Sequence, residues 1–228
     1  MSSMSISHAP FPPSQPAWLR YTDAQIIEAF KNKYRSDIGT EIHEWASHQI
    51  ILSSKPSGIR EVERGVKTHI YEKYMVETSK CYDPEVGSTF LDHLRYLPGD
   101  AFLSAKLFIC DSIGFRMESE QKLSVSKIIE GTADAVRYYP KENLLRVSDL
   151  KTGSRPAKIE QVFVYAALYC YENRLDPLKT NFETRIYQNG EVYIEHPSGD
   201  VISNALNISL HLDEVVEKFR RGEGNVLN

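Results

Sequence analysis

From about Ile113 to Lys151 the chain is dense in Ile, Val, Leu and Tyr, cut only by the turn-formers Glu130-Gly131 and Pro140-Lys141-Glu142-Asn143. That pattern reads as an antiparallel meander of about three strands. It constrains the fold more than any other stretch, because a sheet must be covered. The cover follows at once: Ile159 to Asn173 (IEQVFVYAALYCYEN) is apolar on most sides, as expected of a buried helix. Next, Thr184-Arg-Ile-Tyr-Gln and Glu191-Val-Tyr-Ile-Glu flank Asn189-Gly190, a strong signal for a hairpin with a type I′ turn. The expected class is α/β (α+β), with a central mixed sheet built from the meander and the Thr184 strand and flanked by helices.

Upstream the pattern is helical. Thr22 with Gln25 three positions on forms a capping box that opens a helix to about Tyr34, and Gly39-Thr40 opens a second one through about Leu52. From Ser57 to Thr78, Ile59, Val62, Val66 and Ile70 recur at spacings of three and four, while Arg60, Arg64, Lys67 and Tyr71 fall on an opposite stripe. Asp83 to Cys110 is helical with a break at Pro98-Gly99, and a last helix runs from about Leu212 to Arg221 and stops at Gly222. Residues 1–16, rich in Pro and Ser, are expected to be a disordered tail before a single domain over 17–228.

Composition excludes several classes. With 27 Lys+Arg against 31 Asp+Glu the 228-residue chain carries a formal charge of -4, so it cannot bind phosphate by bulk charge and needs a local basic patch. Cys81, Cys110 and Cys170 are scattered and unpaired in sequence, which speaks against a disulfide framework or zinc knuckle and fits a reducing cytoplasm. No run approaches the roughly 18 apolar residues of a membrane span, and the first residues lack signal-peptide order. His43 and His48 are at i and i+5, about 140° apart around a helix, so they do not form the i, i+4 pair of a zinc protease.

The chemistry is concentrated in Gly131-Thr-Ala-Asp134-Ala-Val and Leu145-Arg-Val-Ser-Asp149-Leu-Lys151-Thr-Gly153. A turn centred between Lys141 and Glu142 sets Asp134 directly across from Asp149, with Cβ atoms about 5 Å apart. Like charges so placed are unfavourable unless a cation lies between them. Lys151, two residues on, joins the same face. Two acids and an ammonium suit Mg²⁺ or Mn²⁺ and phosphodiester hydrolysis. The bland alternative is a pair of solvated strand charges beside a loop lysine. Gln161 and Tyr165 sit one turn apart on the apolar helix, and His43 sits in Gly39-Thr-Glu-Ile-His43.

Taken together, GTEIH, GTADAV, SDLKTG and Q-x-x-x-Y resemble the PD-(D/E)XK nuclease superfamily, in its RecB-like exonuclease branch, over about Gly39 to Glu195; RIYQ and DLKTG look most like the phage-encoded members. The resemblance implies a restriction-endonuclease-like core with a helical N-terminal part. It implies Asp134, Asp149, the Leu150 carbonyl and His43 as ligands for Mg²⁺ or Mn²⁺, Lys151 as the catalytic lysine, and Gln161 and Tyr165 as its support; Glu120 matches an acidic residue of the first strand. Four cysteines would be needed for the iron-sulfur cluster of related nucleases, so none is expected, and no Gly-rich phosphate loop points to a nucleotide.

The implied function is a metal-dependent deoxyribonuclease, an exonuclease on DNA ends or single strands, with a recombination or replication protein as a further partner. Arg155 and Lys158, in the loop after Lys151, are the better candidates for holding the DNA backbone; Arg60, Arg64 and Lys67 are secondary ones. Tyr138, Tyr139, Tyr169 and Tyr171 are candidates for base stacking, against their commoner role in packing. Two rivals fit the same residues: a catalytically silent DNA- or recombination-protein-binding scaffold, and a structure-specific endonuclease or RNase.

Overall fold

The computed structural model describes residues 11, 16–153 and 155–222; the tail expected over residues 1–16 lies almost wholly outside them. Six α-helices of the described residues flank a five-stranded mixed sheet of order β1-β2-β3-β4-β5. They are α1 (Asp23–Ile51), α2 (Ile59–Tyr74), α3 (Pro84–His93), α4 (Ala101–Gly114), α5 (Glu160–Asn173) and α6 (Gly199–Arg220). The strands are β1 (Glu118–Ser124), β2 (Glu130–Tyr139), β3 (Leu144–Leu150), β4 (Asn181–Gln188) and β5 (Glu191–Glu195). Among the described residues no helix is long and apolar enough to cross a membrane.

The meander is present. β1–β2 and β2–β3 are antiparallel, and Ala135↔Ser148 and Val136↔Val147 have the register expected from a turn between Lys141 and Glu142. Its edges differ from expectation: α4 runs on through Gly114, and Gly131 is already inside β2. β4 lies parallel to β3, a connection that requires a crossover, and the apolar α5 supplies it. Asn189 and Gly190 both have positive φ, 54° and 75°, as a type I′ turn demands.

Two helix boundaries are corrected. The capping box is formed, with Gln25 N–H on Thr22 Oγ1 at 3.4 Å and Thr22 N–H on Gln25 Oε1 at 2.8 Å, but it opens one 29-residue helix rather than two. Glycine inside a helix costs about 1 kcal/mol relative to alanine, which is why Gly39 reads as a break. Here it is buried, and a Cβ on it would come to 2.6 Å from Thr152 Oγ1. The packing of α1 on the loop after β3 therefore requires the glycine and outweighs its propensity. α6 starts at Gly199 rather than Leu212, because Ile202, Ala205 and Leu206 pack against the α5 core at helical spacing.

Each sheet face carries its own core. Ala135, Leu150 and Tyr187 face Ile38, Ile42, Val66, Phe108 and Ile109 of the N-terminal helices. Val136, Leu145, Val147 and Ile186 face Val162, Ala166 and Cys170 of α5 and Ile202 of α6. Alternation along the strands produces this split.

Candidate active site

Asp149 and Lys151 share strand parity with Val147 of the α5-side core, whereas alternation along β2 breaks at Asp134: Ala133 packs on the α5 side, Ala135 on the other, and Asp134 meets α1, so the two acids do not simply share one face as expected. The β2–β3 ladder stops at Ala135↔Ser148. One step further, the Leu150 N–H donates not to a backbone carbonyl but to Asp134 Oδ2, at 2.7 Å. In a strand the C=O of a residue faces the same neighbour as its N–H, so the Leu150 carbonyl opens toward Asp134 as well. From α1, His43 Nδ1 reaches to 3.3 Å from Asp134 Oδ1.

Lys151 Nζ lies 2.8 Å from Asp149 Oδ2 and donates to Gln161 Oε1 at 2.9 Å. Gln161 Nε2 in turn donates to the Tyr165 hydroxyl at 3.1 Å, so the i, i+4 pair on α5 holds the lysine. The Tyr165 ring lies so close to β2 that a Cβ at Gly131 would come to 2.9 Å from its Cε1; the glycine of GTADAV makes room for it. His43, Glu120, Asp134, Leu150, Lys151 and Arg155 all line one cleft of about 560 Å³.

The carboxylates of the site raise one another's proton affinity. Burial, and then the Asp134 carboxylate, push Asp149 up to about 6, against the opposing pull of Lys151 and His43. Burial lowers the affinity of His43 for its proton, but Asp134 and then Asp149 reverse this, and the net shift is upward. Glu120 is raised too, by partial burial and then by Asp134. Asp149 Oδ2 is buried, and its one close cation among the described residues is the Lys151 ammonium at 2.8 Å. Three neighbouring carboxylates, Asp134, Asp149 and Glu120, with the His43 imidazole beside them, fit a divalent cation of the Mg²⁺ or Mn²⁺ type.

A tighter group lies elsewhere. The ligand atoms of Glu41, Glu44 and His69 are all within 4.8 Å of one another, between α1 and α2, and they already have a cation. Lys73 Nζ donates to Glu41 Oε2 at 3.0 Å and to Glu44, while the Tyr74 hydroxyl donates to Glu41 Oε1 at 2.8 Å. Glu41 is held below the usual carboxylate range: burial works the other way, and His69, Lys73 and Tyr74 outweigh it. This network around the buried Glu41 was missed in the sequence, since Glu41 and Glu44 meet His69 and Lys73 only once the two helices are known to pack.

The expected DNA-holding residues separate. Arg155 lines the cleft, whereas Lys158 lines an adjoining cavity with Ile186 and Tyr193. Arg60, Arg64, Lys67 and Tyr71 form a solvated face of α2, Lys67 bonds Glu63 at 2.6 Å, and none of the four borders the cleft. The wall comes instead from Asn32, Arg35, Ser36, Gly39, Thr40 and His43 of α1. These fall at helical spacing, a periodicity lost on dividing the helix at Gly39. Tyr138 and Tyr139 donate to Asn143 Oδ1 and the Phe115 carbonyl, at 2.7 and 2.6 Å, and Tyr169 packs on the α5 core; Tyr171 is exposed. Burial, with a small addition from Asp176, pushes the Cys170 thiol up to about 12.

Compared with family models, curated proteins and solved structures, the chain shows no significant match.

Proposed function

We propose that the protein is a metal-dependent deoxyribonuclease of the PD-(D/E)XK type, an exonuclease acting on DNA ends or single strands in phage DNA recombination, repair or degradation. One observation carries the reading: Asp134, Lys151 and His43 line a single cleft, and the buried Asp149 carboxylate sits directly behind it, paired with Lys151 and raised by Asp134. Solvated strand charges would not converge in this way.

Asp134, Asp149, the Leu150 carbonyl and His43 would hold Mg²⁺ or Mn²⁺, with Glu120 on the rim. Bound there, the ion would supply charge neutralisation at the phosphate and at the departing oxygen. The rest falls to the chain. Lys151, fixed between Asp149 and Gln161, orients the attacking water and offsets charge developing on the phosphate. Tyr165 keeps Gln161 in place. His43, with its proton affinity raised, remains close to Asp134 in the absence of the ion and frees its Nδ1 lone pair when it loses the proton.

The test is digestion of end-labelled linear single- and double-stranded DNA and closed circular DNA in Mg²⁺, Mn²⁺ or EDTA. Metal-dependent loss of linear substrate, with the circle spared, is expected, and Asp149→Ala and Lys151→Ala should each lower it by at least 10²-fold. Equal cutting of the circle would make the protein an endonuclease. DNA binding without cleavage in any metal would leave the silent scaffold.

A further inference from the structure

Gln188, the last residue of β4 and the Q of RIYQ, has no role in the chemistry so far, yet all its polar groups converge on the segment leaving the active site. It is 3 % exposed. Its Nε2 donates to the carbonyls of Gly153, at 2.7 Å, and Arg155, at 2.6 Å, and its Oε1 accepts the Ala157 N–H at 3.0 Å. One side chain thus ties three main-chain groups of the stretch between Lys151 and α5, whose described residues lie in no helix or strand that could satisfy them. Glutamine suits this position: two donors and an acceptor on one planar amide match two carbonyls and an N–H.

The location gives the tie a consequence. β3 and β4 are paired in parallel up to Leu150↔Tyr187, and Lys151 N–H extends the ladder to the Tyr187 carbonyl at 2.9 Å, so Lys151 and Gln188 come next, side by side at the carboxyl ends of the two strands. Lys151 is held by that bond, by Asp149 and by Gln161. Arg155 is exposed, and the bond from its carbonyl to Gln188 secures its main chain.

We infer that Gln188 is a positioning residue that sets Arg155 over the cleft in register with Lys151, so that a DNA phosphate is gripped at a fixed distance from the reacting one. The inference rests on the nuclease reading above. It assigns grip and chemistry to different anchors: Arg155 depends on Gln188, and Lys151 does not.

The experiment compares wild type, Gln188→Met, Arg155→Ala and the double variant. Methionine fills the volume of glutamine and removes every hydrogen bond, with thermal unfolding used to check that the variant still folds; Gln188→Glu retains the acceptor, loses both donors and gives an independent reading. Each single variant should raise KM for linear DNA roughly tenfold, with a smaller fall in kcat. Each should also reduce the slope of log affinity against log salt, measured in EDTA, by about one phosphate contact. The double variant should be no worse than either single one. Losses that multiply, or an unchanged salt slope in both Gln188 variants, would overturn the positioning role while leaving the nuclease intact. A wild-type protein that neither cuts nor binds DNA would overturn the reading beneath it.

Discussion

Asp149 is the residue on which the fold's interest and the site's interest diverge. Its carboxyl is raised from 3.8 to about 6 by burial and by Asp134. Between those values the folded state binds more protons than the unfolded one, so stability falls as pH rises through the window and stays low at neutrality. Asp149→Asn removes the charge and should stabilise the protein in EDTA at pH 7–8 by about 1–3 kcal/mol, a gain that vanishes below about pH 4, while abolishing cleavage. Thermal unfolding of both proteins across pH 4–8 checks this; a variant less stable than wild type at pH 8 sinks it. Adding Mg²⁺ or Mn²⁺ should raise the wild-type midpoint and not the variant's. The closeness of Asp134 to Asp149 could be read in sequence because strand register is arithmetic once the turn is located, although the ladder ends at Ala135↔Ser148 and the two do not form a strand pair. The Leu150 N–H on Asp134 could not, because it depends on where the ladder stops.

At the scale of the element, β1 contains a strained residue that lines the cleft. Glu120 has φ 53°, in the left-handed region that costs an L-residue about 1–2 kcal/mol. The register is the same on both sides, Ser119↔Ala135 and Gln121↔Ala133, so no residue has been inserted and this is not a bulge. The backbone rotates at this one position, opposite Asp134. Strain of this kind is found where function requires it, and it inverts the usual preference of a strand: Glu120→Gly should be at least as stable as wild type, and Glu120→Val less stable by about 1–3 kcal/mol, although valine is the better strand former. Urea unfolding of the three proteins decides the order, and valine at or above wild type would remove the strain argument. Strands, the buried α5 and the Asn-Gly hairpin were legible because period and turn chemistry are local. The unbroken α1 was not, since Gly39 is kept for its contact with Thr152, which is a tertiary reason.

For the whole molecule, the proposed nuclease reading turns on which face would meet DNA. The chain's formal charge of -4 means that attraction must be local, and two basic surfaces compete: the α2 stripe, which periodicity alone makes conspicuous, and the cleft between α1 and the loop after β3. The stripe is flanked by Glu61, Glu63 and Glu72, and Lys67 is already paired with Glu63; exposed pairs of this kind contribute little and are screened by salt. Lys151 and Arg155 line the cleft instead, at the carboxyl ends of the parallel β3 and β4, where open α/β sheets bind their ligands. The two surfaces make opposite predictions. Replacing Arg60, Arg64 and Lys67 together by alanine should change cleavage of linear DNA less than about twofold and leave the salt slope of binding as it was, because exposed charges outside the contact contribute no counterion release. Arg155→Ala alone should lower affinity at 150 mM salt by roughly tenfold. If the triple variant loses three units of slope while Arg155→Ala loses none, the strand runs along α2, and the cleft is reached only by its end.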